Sequence, residues 1–307
     1  MSLLIQRTSP LHSIQDSGRF GYQSMGATPA GPLDVMAYSW ANQVLGNPPG
    51  LSALELIRGG FVAEFTKATT FVLTGAECHG ELSGRACPSW ITHQAQAGDQ
   101  LYLGSPTRGQ ITYLSVAGGF QITPCFGSVA TSRRDQMGGF HGDASPLQTG
   151  DRLPYATTAP VIGGVPRRFI PEYTTPLQLR LITGYQFDTF DSAAQDHLVS
   201  QPFQLSKTCN RMGYRLEGPP LPMVPRAGLS EPIALGSVQV PPDGLPIILM
   251  RDRQSLGGYP KLGVVMREDL GALAQRSAGD PIAWTLISRD AAQQRLHQLH
   301  QFFGRIV

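Results

Sequence analysis

The chain has 307 residues, 41% hydrophobic and 15% charged, with 35 glycines and 25 prolines. That length suffices for two domains with cores of their own, and that composition favours many short strands joined by tight turns over long surface helices. A formal net charge of +2, from 24 Lys and Arg against 22 Asp and Glu without dense clusters, excludes the basic footprint of a nucleic-acid binder. No stretch approaches the roughly 20 apolar residues of a membrane helix, and the cysteines Cys78, Cys87, Cys125 and Cys209 form no Cys-x-x-Cys pair and follow no signal peptide, so reduced thiols and a cytoplasmic location are expected.

Along the chain, apolar or alternating runs predict strands at 61–65, 71–73, 101–103, 111–116, 177–182, 245–250 and 282–287. A Gly-Asp pair precedes three such runs, at Gly98-Asp99, Gly150-Asp151 and Gly279-Asp280. Glycine supplies the positive φ of a turn and aspartate ties back to the backbone, so the recurrence predicts two similar β modules. Helices are few. One spans 34–45, with Asp34 as N-cap and a stop at Gly46-Asn47-Pro48-Pro49. Others are expected over 188–198, over 267–275, where Glu268 and Asp269 suit the first turn, and over 289–303, with Leu296, Leu299 and Phe303 on the face packed against the second module. The segment 156–172 is rich in Pro, Gly and Thr and reads as a linker between modules at 1–155 and 173–307.

No nucleotide loop, nucleophile elbow or His-Glu-x-x-His motif occurs, and Cys78-His79, Cys87 and His93 match no metal template. The chemistry-bearing residues lie in glycine-rich loops between apolar runs. Asp16, Arg19 and Tyr22 fall beside Gly18 and Gly21, as either a ligand loop or an Asp–Arg turn clamp. Asp34 is a cap, and a ligand group where its helix end lines a pocket, with Asn42 two turns on. Ser128 and Thr131 offer hydroxyls among small neighbours for an anion or carbonyl oxygen. In the second half, Arg211 precedes Gly213. The apolar run 246–250 ends in Arg251-Asp252-Arg253-Gln254, the Gly257-Gly258 hinge, Tyr259 and Lys261. Asp252 offers a proton acceptor, Gln254 a donor and acceptor together, and Lys261, one of three lysines, a charge for an oxyanion or phosphate. The plainer alternative is a charged hairpin loop.

Together Ile14-Gln15-Asp16, Gly18-Arg19, Ala41-Asn42, Leu54-Glu55, 113–119, Gly127-Ser128, Arg211-Met212-Gly213, Gln239-Val240-Pro241 and 254–263 resemble the biotin-dependent carboxyltransferase-like family, on its 5-oxoprolinase branch. The resemblance implies a mainly β fold of two cyclophilin-like β-barrel modules with a few short helices. It also implies partners homologous to the B and A subunits of 5-oxoprolinase, and ATP-dependent opening of 5-oxoproline to L-glutamate, with ATP used by the complex and no cofactor bound by this chain alone. In this picture Arg211, Asp252, Gln254 and Lys261 act in catalysis, and Asp16, Arg19, Tyr22, Asp34, Asn42, Glu55, Ser128, Thr131, Gly257, Gly258 and Tyr259 bind the lactam or amide substrate. Two positions depart from the family pattern, Asn210 in place of an acidic residue and Ser255-Leu256 in place of threonines, and they bear on which amide is taken. The same family admits two other roles, carboxyl transfer from carboxybiotin to urea or a similar amide, and non-catalytic binding of a partner that inhibits a kinase. Carboxyl transfer needs a biotinyl segment and an ATP-grasp module from other subunits.

Overall fold

Each of the three Gly-Asp pairs folds as a turn by one mechanism. Gly98, Gly150 and Gly279 take φ of 88°, 98° and 89°, and the carboxylates of Asp99, Asp151 and Asp280 accept the N–H of Gln96, Gln148 and Ser277, each at 2.8 Å. In the computed structural model, which describes residues 1–156, 158–222, 225 and 228–304, two of these turns shape a first unit and the third a second. Among the described residues, the first unit comprises those within 1–22, 29–174 and 303–304, and the second those within 23–28 and 175–302. The segment 156–172 follows the first unit closely, with Val165 N–H on the Trp90 carbonyl at 2.8 Å and Thr92 N–H on that of Gly163 at 3.0 Å.

In the first unit the runs 101–103 and 111–116 belong to a single strand, Gln100–Val116, which pairs along its length with Thr69–Leu82. Further pairing on Gln100–Val116 extends the sheet through Ala53–Ile57 to Ser13–Gln15 on one side, and through Phe61–Phe65 and Ser2–Arg7 to Arg152–Pro154 on the other. Alternating residues of these strands, among them Leu3, Ile5, Phe61, Phe65, Phe71 and Leu73, are fully buried in one cluster, where Phe65 and Phe71 stack at 4.9 Å. A fully buried side chain of this size contributes about 1.5–3 kcal/mol. The helix Val35–Val44 (α1) begins on the Asp34 cap, whose Oδ1 accepts the Ala37 N–H at 3.1 Å.

In the second unit seven strands close a barrel in the order Leu177–Thr183, Lys261–Val265, Ser237–Gln239, Ile247–Leu249, Gly213–Glu217, Phe203–Leu205 and Pro281–Ile287, the last pairing in parallel with the first. A nine-stranded sheet in one unit and a closed barrel in the other are the architecture among the described residues, so the fold is mainly β. Helices Ser192–Ser200 (α2), Arg267–Ala274 (α3) and, up to Phe302, Arg289–Phe303 (α4) complete the second unit. Leu296 and Leu299 of α4 line an apolar groove with Leu270 of α3 and Val264. Phe303 does not share that setting. It belongs to the first unit and meets Trp40 edge-on at 5.1 Å, because an aromatic side chain at the end of a helix packs where apolar surface is nearest. No described helix is long and apolar enough to cross a membrane.

Candidate functional site

Buried polar groups in each unit fall into those the fold satisfies and those it leaves open. In the first unit most are satisfied. The Asp16 carboxylate accepts from Ser128 Oγ at 2.6 Å, Val129 N–H at 2.7 Å and Gly18 N–H at 2.8 Å. Thr131 Oγ1 donates to the Ile14 carbonyl at 2.9 Å. Asn42 donates to the Leu51 carbonyl at 3.0 Å and accepts from Asn47 at 2.9 Å. Glu55, fully buried, accepts from Tyr113 Oη at 2.7 Å and Leu33 N–H at 2.8 Å. Tyr113 in turn accepts the Asp34 N–H at 2.8 Å, and Asp34 Oδ2 accepts from Tyr173 Oη at 2.8 Å. Burial, and after it the carboxylates of Glu55 and Asp34, raise the Tyr113 phenol far above its ordinary pKa, so it stays a donor. Tyr22 is half-buried with its ring 4.8 Å from that of Phe126.

Arg19 differs. It is 1% exposed, and its Nη2 donates to the Ala130 carbonyl at 2.6 Å, while Nε and Nη1 find no acceptor among the described residues. Gly138 makes room for it, since a Cβ there would lie 2.6 Å from Arg19 Nη2 and 2.2 Å from the Ala130 oxygen. A buried guanidinium with unmet donors is costly, and a ligand oxygen would offset that cost.

In the second unit Asp252, Gln254, Gly257, Gly258 and Tyr259 lie between strands Ile247–Leu249 and Lys261–Val265, Lys261 opens the latter, and Arg211 joins them from the segment before strand Gly213–Glu217. Asp252 is 3% exposed and takes Arg211 in a two-pronged pair, Nε to Oδ2 at 2.9 Å and Nη2 to Oδ1 at 3.0 Å. Arg253 donates to the Ile233 carbonyl at 3.1 Å, and burial, with Arg267 nearby, pulls its pKa down to about 10. Gln254 is half-buried and its amide makes no hydrogen bond among the described residues. Tyr259 is exposed, and Gly257 and Gly258 are half-buried.

Lys261 stands at the start of a barrel strand opposite Gln239, where the ladder skips a residue and so re-aims the side chains beside it. Its backbone N–H donates to Gln186 Oε1 at 2.8 Å and its ammonium pairs with Glu231. Glu231 also accepts from Tyr185 Oη and, at 3.3 Å, from Gln186 Nε2. Gln239, 2% exposed, has an amide nitrogen with no acceptor among the described residues, and Gly257 lies against it, with a Cβ at that position 2.7 Å from the nitrogen. Glu231, Tyr185 and Gln186 escape a reading of motifs because none stands in a glycine-rich loop beside another charge. A trace was there, since Glu231 is the sole acid between Glu217 and Asp243.

Residues 25–286 match the family described as carboxyltransferase domain, subdomain A and B. The chain is 34% identical over 305 residues to the C subunit of 5-oxoprolinase from Escherichia coli (strain K12), covering 99% of this chain and 97% of that protein. It is 36% identical to the protein of the same name from Haemophilus influenzae, covering 92% and 91%. A longer solved chain, 33% identical with a TM-score of 0.83, is spanned only to 55% by this one. The K. lactis urea amidolyase superposes on the whole of this chain with a TM-score of 0.90, and at 24% identity over 20% of that longer chain the likeness speaks for the fold.

Proposed function

Because the chain belongs to the family of carboxyltransferase domains, subdomains A and B, we propose that it is a subunit of an ATP-dependent 5-oxoprolinase, acting with B-type and A-type partner subunits to open 5-oxoproline to L-glutamate. Its end-to-end similarity to proteins named as the C subunit of 5-oxoprolinase supports this reading. The observation that carries it is a set of donors in the second unit, Lys261, Tyr185 and Gln186, that gathers around a carboxylate, here that of Glu231, and so suits the carboxylate of a substrate. 5-Oxoproline carries a carboxylate beside its lactam, whereas urea carries none.

An amide carbonyl is a poor electrophile until its oxygen becomes a leaving group. ATP held by the complex would phosphorylate that oxygen, and water would then complete the opening of the ring. Within this chain Arg211 and Lys261 are the cations assigned to substrate and to transferred negative charge. Asp252 fixes the Arg211 guanidinium in one orientation, and Gln254 offers an uncommitted amide for the lactam. Gly257, Gly258 and Tyr259 border that set of donors. In the first unit Arg19 is assigned to a ligand oxygen, on the loop that Asp16, Ser128 and Thr131 hold in shape, and Tyr22, Asp34, Asn42 and Glu55 are assigned to substrate binding in the same unit.

The family match also favours a second reading, transfer of a carboxyl group to an amide lacking a carboxylate, as the urea carboxylase name of a relative suggests, 30% identical over 91% of this chain but spanned only to 23%. The two separate in one experiment. The purified chain is mixed with A-type and B-type subunits, ATP and 5-oxoproline, and glutamate is measured. Glutamate that requires all three chains supports the proposal. No glutamate, together with ATP-driven carboxylation of urea when a biotin carboxylase partner is supplied, overturns it.

A further inference from the structure

Glu231 lies outside the barrel wall, in the short strand Glu231–Pro232, which pairs only with Leu256–Gly257 among the described residues. Its three donors come from firmer ground. Lys261 begins a barrel strand, and Gln186, adjacent to Tyr185, is bonded to the Lys261 backbone at 2.8 Å. A fixed set of donors is therefore filled by a carboxylate delivered on a two-residue ladder. The pair is partly solvated, with side-chain exposures of 12% for Lys261 and 29% for Glu231, and a partly solvated ion pair contributes little net stability, so a competing anion has little to overcome. Directly across the ladder from Glu231 is Gly257, the residue pressed against the unmet amide nitrogen of Gln239. Withdrawal of Glu231 would carry Gly257 with it, so emptying the seat and uncovering the Gln239 donor are one movement.

We propose that Glu231 is an internal stand-in for the ligand, occupying a binding seat for a small-molecule carboxylate until that carboxylate displaces it and Gln239 donates to the same molecule. The identity of the ligand as 5-oxoproline rests on the function proposed above, whereas the seat itself does not. Lys261, and after it Tyr185, hold the Glu231 carboxyl below its ordinary pKa, so the stand-in is charged throughout the neutral range. It competes with the ligand at every physiological pH.

The test uses the full chain and direct binding by calorimetry. If Glu231 fills the seat nine-tenths of the time, the affinity of a carboxylate is reduced about tenfold. Glu231→Gln should therefore bind 5-oxoproline about tenfold more tightly than the parent chain, with no gain for 5-oxoproline amide, in which the carboxylate is a carboxamide. Lys261→Ala in the Glu231→Gln background should abolish that gain. Equal affinities for 5-oxoproline in parent and variant, an equal gain for the carboxamide, or binding to neither folded protein would each overturn the proposal. A carboxylate-specific gain without glutamate from the three-subunit mixture keeps the seat and rejects the assigned reaction. Glutamate from that mixture, with no effect of Glu231→Gln on binding, rejects the stand-in alone.

Discussion

Removal of Asp252 separates what this carboxylate does for stability from what it does for chemistry. Asp252 is 3% exposed, and the Arg211 side chain, 16% exposed, meets both its oxygens at 2.9 and 3.0 Å. Breaking a buried pair by deleting one partner costs about 3–5 kcal/mol, because the remaining charge stays desolvated. Arg211 keeps some access to water, which places Asp252→Ala near the lower end, at about 3 kcal/mol. Once Arg211 is absent, Asp252 has lost the partner its burial depends on, so the double variant Arg211→Ala/Asp252→Ala should lose less than the sum of the single losses, with coupling of about 1–3 kcal/mol. Urea unfolding measured by circular dichroism reads these losses, and glutamate formation by the reconstituted complex reads activity at a temperature where every variant is folded. Asp252→Ala as stable as the parent chain, within about 0.5 kcal/mol, would refute the reasoning that ties its burial to Arg211.

His12 gives a pH test. It is 1% exposed, its Nδ1 accepts the Ser9 N–H at 3.1 Å, and Nε2 therefore donates to the Gly59 carbonyl at 3.1 Å. Burial pushes its pKa down from 6.5 to about 4. The unfolded chain thus takes up a proton first, and as pH falls from 6.5 through 4 the folded state should lose about 3 kcal/mol, a loss that His12→Gln removes from the pH profile of unfolding. Gly138 has φ of 74° and no room for a Cβ, so Gly138→Ala should destabilise the first unit by about 2 kcal/mol or more and move Arg19, read by thermal unfolding and by ligand binding. Cys87 is 2% exposed and its thiol is pushed up to about 12 by burial, then by Cys78. At pH 8 it should resist alkylation until denaturant is added, as peptide mass spectrometry would show.

Seven strand segments and the start of the helix capped by Asp34 are legible because period-two runs, Gly-Asp turns and that cap act through local chemistry. Strands such as Ser2–Arg7 and Gly213–Glu217 lie outside those runs, and the helix expected from 188 starts at Ser192 on Asp191. The single long strand Gln100–Val116 is not legible, since Gly104, Pro106 and Gly109 interrupt its pattern and only pairing with Thr69–Leu82 carries it across them. Phe303 was assigned to the wrong neighbour because helical periodicity gives a face and says nothing about what meets it. In the candidate site, the loop from Arg251 to Lys261 stands out in the sequence through residue types that are expensive to bury. Arg211 is legible as a candidate, but its pairing with Asp252, 41 residues away, is not, and Glu231 reaches Lys261 from a strand with no motif of its own. Nor does a sequence reveal that Asp16 is fully bonded while Arg19, three residues later, keeps two open donors.

If this chain supplies the positively charged carboxylate seat of a lactam-opening complex, Lys261 governs turnover. The most direct measurement is glutamate formed from 5-oxoproline and ATP by the three-subunit mixture, with the parent chain or with Lys261→Ala. Turnover is expected with the parent chain and, for Lys261→Ala, a loss of at least tenfold in kcat/KM, about 1.4 kcal/mol or more. Turnover by Lys261→Ala equal to that of the parent, or no glutamate from any mixture of folded subunits, would contradict it.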